Sequence, residues 1–194
     1  MELAQVKKNF EKRGFVFSVF PDEEAAAAYL CQEIQGKRVA FGGSKTLEEI
    51  GLYEKLSENN QVFWHWKTPG HYEQQADVYV TSANGLSAKG AVINVDGFGN
   101  RVAGAIYGSE TVFVVCGINK LAADLDSAVE RVRNVAAPLN ARRLGKQTPC
   151  AVKGDRCYDC DGPECICRVF SVMRKPVTAV KRYEIVLVEK NLGF

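Results

Sequence analysis

Thr111-Val112-Phe113-Val114-Val115-Cys116-Gly117 is the strongest strand signal in the chain. Its apolar residues run on without alternation, the mark of a strand covered on both faces. Working outward, shorter strand-like runs stand at Phe15-Val16-Phe17-Ser18-Val19, Val39-Ala40-Phe41, Val62-Phe63-Trp64, Val78-Tyr79-Val80 and Tyr183 to Glu189. Helical stretches lie between them. Residues 2–13 carry apolar side chains at helical spacing and stop at Gly14; Pro21-Asp22-Glu23-Glu24 opens a second helix that ends by Gly36. Thr46-Leu47-Glu48-Glu49 reads as a capping box opening a helix through about Leu56. A further helix is predicted from about Asp124 to Leu144, kinked or broken at Pro138. Ala91-Val92-Ile93-Asn94-Val95 and Arg101-Val102-Ala103-Gly104-Ala105-Ile106 flank Asp96-Gly97-Phe98-Gly99-Asn100, which predicts a β-hairpin with a Gly-rich turn. The alternation of helices and strands predicts an α/β fold: a mostly parallel sheet, helices on both faces and an inserted β-hairpin.

The 194 residues suffice for one domain spanning 1–194 and its core. Hydrophobic residues make up 46% and charged residues 25%, ordinary values for a soluble globular protein. A net charge of +2 gives no basis for nucleic acid or an anionic membrane as partner. Met1-Glu2-Leu3-Ala4-Gln5-Val6-Lys7-Lys8 lacks the apolar region of a signal peptide, and the apolar runs fall short of the roughly 20 residues of a membrane span. A cytoplasmic protein is expected.

Polar residues gather where strands end. Phe41 runs into Gly42-Gly43-Ser44-Lys45, where paired glycines admit a close ligand and Ser44 adds a hydroxyl. The spacing is neither that of a P-loop nor that of a dinucleotide fingerprint, and a tight strand-to-helix turn explains these residues equally well. Thr81-Ser82-Ala83-Asn84-Gly85, Asn94 to Arg101, Tyr107-Gly108-Ser109 and Gly117-Ile118-Asn119-Lys120 follow the same rule. Ligands in open α/β sheets bind at the carboxyl ends of strands, although Asn and Gly are also common turn residues.

Three of these stretches together, Asp77 to Gly85, Gly90 to Val102 and Val115 to Lys120, resemble the LUD (lactate-utilisation domain) family, which includes the C component of bacterial lactate-utilisation systems. The resemblance extends to Phe41-Gly42-Gly43-Ser44 and to Arg131-Val132-Arg133-Asn134-Val135-Ala136-Ala137-Pro138-Leu139-Asn140. It implies a fold like that of the ribose-5-phosphate isomerase and CoA-transferase superfamily. It also implies a pocket formed by Gly42, Gly43, Ser44, Ser82, Asn84, Asn94, Asp96, Asn100, Arg101, Asn119 and Lys120. The expected ligand is a small phosphorylated or carboxylated metabolite, with a link to lactate or organic-acid redox metabolism. The alternative is a non-catalytic, metal- or Fe–S-containing accessory subunit or a ligand sensor, with an oxidoreductase partner subunit or a second copy of the chain as further partners. No Ser-His-Asp set is evident. Asp96 is the candidate catalytic carboxylate, with Glu110 and Glu73 behind it; His65 reads as a packed or half-exposed side chain, and His71 as a loop residue that could face the pocket.

Five of the seven cysteines fall between Cys150 and Cys167, inside a Cys-rich loop at 148–168. Clustered thiols in a reducing compartment point to metal before disulfides. Cys150, Cys157, Cys160 and Cys167 form a Cys-x₂-Cys pair flanked symmetrically by two more, a set that suits zinc or a [4Fe–4S] cluster. Cys165 is surplus and could replace Cys167. Lys153, Arg156 and Arg168 are at hand to offset thiolate charge, while Cys31 and Cys116 read as buried apolar residues. Reduced thiols without metal, or a disulfide pair, are the other readings of this loop.

Overall fold

The computed structural model describes residues 2–67 and 76–194; His71 and Glu73 lie outside them. The run at Val114 is β7 (Thr111–Gly117), buried at every residue but the first. It lies inside a parallel six-stranded sheet with β1 (Val16–Phe20), β2 (Arg38–Phe41), β3 (Gln61–Trp64), β4 (Val78–Thr81) and β10 (Arg182–Val188). The strand order is β1-β10-β7-β4-β2-β3. The period of two divides the core. Ala40, Tyr79, Val112, Val114 and Ile185 face Val6 and Phe10 of α1 (Leu3–Glu11), while Val39, Phe41, Val80, Phe113 and Val115 face the other side. That other side is covered by α2 (Glu23–Glu33), α3 (Lys45–Glu49) and α4 (Leu52–Ser57). Helices therefore lie on both faces, as expected.

The helix after β2 is capped two residues earlier than the Thr46 box predicts. Ser44 is the N-cap, its Oγ accepting from the Leu47 N–H at 3.2 Å. The helix also divides: Gly51, at φ +64, lets the chain turn between α3 and α4.

The expected hairpin is overturned. Asn100–Ile106 is a helix, α5, and not a strand. The Asp96 carboxylate closes the preceding loop, its oxygens accepting from the N–H groups of Phe98 and Val102, each at 3.1 Å. Gly104 then lets α5 lie against β4, since a Cβ there would stand 2.5 Å from the Tyr79 ring. The antiparallel insertion keeps the first expected strand and takes its partners from elsewhere. β6 (Ala91–Asp96) pairs with β5 (Gly85–Ser87) on one side and β9 (Val169–Met173) on the other. With β8 (Leu121–Ala122) they form a second sheet in the order β8-β5-β6-β9.

Val92 of β6 joins the core of the large sheet, while Ala91, Ile93 and Val95 pack on Ala128, Val132 and Ala137. These last belong to the long helix, which Pro138 does not break. α6 (Leu125–Arg131) passes through a π turn, Val132–Ala136, into α7 (Ala137–Arg143), with Pro138 in the first turn of α7. The wider turn accommodates a residue that has no N–H to donate. Among the described residues no helix is long and apolar enough to cross a membrane.

Candidate functional site

Four neighbouring strands, β7, β4, β2 and β3, deliver their following residues to one end of the sheet. Gly43, Ser44 and Thr46 come after β2, Ser82 and Asn84 after β4, and Lys120 after β7. Together with Arg101 of α5 and with Asn140 and Arg143 of α7 they line an inner recess of about 30 Å³. Gly43, Arg101, Asn140 and Arg143 also line an adjoining outer cavity of about 530 Å³, walled further by His65, Trp66, Asp96, Asn100, Lys146 and Arg168.

The recess is built around two cations. Lys120 is 4% exposed and its Nζ donates to Thr46 Oγ1 at 2.8 Å and Ser82 Oγ at 2.9 Å. Burial pushes its pKa down to about 8, the Cys116 thiol pulls it up, and the cations of Arg101 and Arg131 lower it further. Arg101 donates to Gly43 O at 2.6 Å and Asn84 Oδ1 at 3.0 Å, and its sealed Nε has no partner among the described residues. Burial of the guanidinium lowers its pKa too, opposed by Asp96 at longer range. Among the described residues neither Lys120 nor Arg101 forms an ion pair with a carboxylate.

Of the residues expected at the pocket, Gly43, Ser44, Ser82, Asn84, Arg101 and Lys120 meet in the inner recess, and Asp96 and Asn100 reach the outer cavity. Three line neither of these cavities. Gly42 packs where a Cβ would meet Thr81 Oγ1 at 2.6 Å. Asn94 accepts from the Asn84 N–H at 3.2 Å, joining two segments of backbone. Asn119 accepts from the Leu192 N–H at 3.1 Å and so holds the segment after β10. Asp96, through the two N–H groups it accepts, closes the turn into α5. Glu110 pairs with Lys181 on the surface at 2.8 Å. His65 is exposed, lines the outer cavity and lies 3.4 Å from the Asn100 amide.

Sequence reasoning missed Thr46, Asn140 and Arg143. Asn140 and Arg143 stand three apart on α7 and so share a face; Asn140 Oδ1 accepts from Arg143 at 2.8 Å, and the guanidinium lies 5.1 Å over the Trp66 ring. Helical spacing after Pro138 was the available signal.

The Cys-rich loop forms one wall of the outer cavity, through Pro163, Glu164, Cys165, Ile166 and Arg168. It approaches closely at Gly97, where a Cβ would stand 2.9 Å from the Ile166 carbonyl oxygen. Behind it Cys150, Cys157, Cys160, Cys165 and Cys167 ring a separate cavity of about 270 Å³. Burial and the neighbouring Cys165 push the Cys160 thiol up to about 11. Cys167 is an exposed residue whose thiol turns into the cavity; loss of hydration there and the other four thiols push it up to about 12. Among the described residues no three His, Cys, Asp or Glu side chains converge closely enough to hold one metal ion. The cation beside the thiols is Arg133, 3.8 Å from Cys157 Sγ. Lys153 and Arg156 stack instead on Tyr158, and Arg168 donates to the Pro163 carbonyl.

Residues 3–188 match the model of the LUD domain family. A crystal structure of a DUF162 family protein from Deinococcus radiodurans has a similar fold, with a TM-score of 0.58 at 13% identity over 96% of this chain and 95% of that one. No curated protein matches the chain.

Proposed function

The chain belongs to the LUD domain family, and on that premise we propose that its strand-end pocket binds a small anionic metabolite by a carboxylate or phosphate group. One observation carries this reading: two cations, Arg101 and Lys120, are enclosed in one recess, and among the described residues neither is ion-paired with a carboxylate. A charge withdrawn from water needs a counter-charge or loses its proton. Lys120 goes part of the way, its pKa falling to about 8, and Arg101 Nε, with no partner among the described residues, leaves a donor to fill. At about 30 Å³ the recess takes one anionic headgroup, and the outer cavity of about 530 Å³ takes the body of the ligand. The family's link to lactate utilisation makes short carboxylates the first class to test.

The group placed to exchange a proton near neutrality is Lys120, within 2.9 Å of Ser82 Oγ. Asp96 is occupied by two backbone N–H groups, which favours binding as the role of this end of the pocket over catalysis by Asp96.

A thermal-shift panel of lactate, other short carboxylates, phosphate and sugar phosphates tests this. A ligand at a hundred times its Kd stabilises by about 2.7 kcal/mol, a rise of roughly 5–10 °C for a domain of this size. Arg101→Met and Lys120→Met should each abolish the rise. A panel that leaves the wild type unmoved, or shifts the variants equally, contradicts the reading.

A further inference from the structure

We propose that Cys150, Cys157, Cys160 and Cys167 hold an iron–sulfur cluster in the thiol-lined cavity, separated from the anion pocket by the wall that contains Cys165. The size of the cavity favours a cluster over a single ion. A zinc ion draws four sulfurs to about 2.3 Å from one point. Five thiols instead surround about 270 Å³ of space. A cluster of several iron and sulfide atoms spreads its four thiolate ligands further apart than one ion does, and needs that room.

The surroundings fit the same group. Val95, Val129, Val132, Ala137 and Phe170 give the cavity an apolar floor. Cys157 Sγ accepts from the Asp159 N–H at 3.4 Å and lies 3.8 Å from the Arg133 guanidinium. Asp159 stands at φ +48, a conformation uncommon outside glycine, and this turn carries the chain from Cys157 back to Cys160. The Cys157 N–H is held by Asn134 Oδ1 at 2.9 Å, which ties the loop to the π turn of the long helix. N–H donors and a nearby cation stabilise the sulfur charge of a cluster. Cys165 is excluded from the ligand set because it alone of the five also lines the outer anion cavity. Each ligand thiol gives up its proton as its sulfur bonds to iron.

The test uses the full chain, purified without oxygen from iron-supplied cells and reconstituted with ferrous iron and sulfide. Iron and acid-labile sulfide in equal amounts, with a broad visible absorption that bleaches in air, are expected. Cys157→Ser and Cys160→Ser should each lower iron content at least about tenfold, whereas Cys165→Ser and Cys31→Ala should keep it. Circular dichroism shows whether each variant folds, and the wild-type iron and sulfide content stands without them. Stoichiometric zinc without iron, a wild type that takes up neither, or iron unaffected by the Cys157 and Cys160 variants overturns the proposal. Loss of iron in Cys165→Ser overturns the ligand assignment.

Discussion

Lys120 sets how the pocket responds to pH. Its folded pKa of about 8 lies below the roughly 10.4 of an unfolded lysine. Between those values the unfolded chain binds more protons than the folded one, so folding stability contributed by this residue rises with pH across that window. Below about 8 the ammonium is present and its burial opposes folding. An anion in the recess favours the charged form, so its binding weakens as pH climbs past about 8. Lys120→Met should therefore be no less stable than wild type at neutral pH, should lose the extra stabilisation between pH 8 and 10, and should lose anion binding. Thermal melts of both proteins across pH, beside wild-type affinities at pH 7 and pH 9.5, check this; a wild-type affinity that is flat with pH contradicts it. At this scale the site was half legible. Strand-end position singled out the stretches, and the family resemblance named Ser44, Ser82, Arg101 and Lys120 within them. The same signals also pointed to Gly42, Asn94 and Asn119, because an amide that bonds backbone reads the same as one that bonds a ligand.

α5 is the element whose reading failed, and its packing gives a direct test. Valine and isoleucine around Gly104 fit a strand by local preference, but the carboxylate of Asp96 and the Tyr79 ring select the helix. Neither contact is visible in local sequence. Gly104→Ala places a methyl group 2.5 Å from the Tyr79 ring carbons and should cost about 1–3 kcal/mol in overpacking, measured by denaturant unfolding. A helical glycine free of such a neighbour would gain from the same change, so a stabilised variant would contradict the close packing of α5 on Tyr79. β9 also went unread. It is an edge strand with exposed Val169, Phe170 and Val172, and without alternation its burial leaves little pattern to follow.

At the scale of the molecule, the parallel sheet was legible because continuous apolar runs report burial on both faces whatever the partner strands. Strand order was not, since it depends on contacts such as those of Glu184. That residue is fully buried in β10 and accepts from Ser18 of β1 at 2.6 Å, Tyr29 of α2 at 2.9 Å and Arg182 at 2.6 Å. It ties the edge strand and its helix to the centre of the sheet. Glu184→Ala should lower stability by about 1–3 kcal/mol, below the roughly 3–5 kcal/mol of a broken buried pair, because Arg182 is partly exposed and keeps Glu33. Any ligand-induced thermal shift should survive, because Glu184 stands toward the opposite end of the strands from the pocket. Loss of the shift in this variant would mean that the pocket is coupled to the far edge of the sheet.

The most direct measurement of the central claim is calorimetric titration of wild type and Lys120→Met at pH 7 with the anion that most stabilises the wild type. One saturable site in the wild type and no detectable binding in the variant is the predicted result. Equal binding by both proteins, or none by the wild type, would contradict the account.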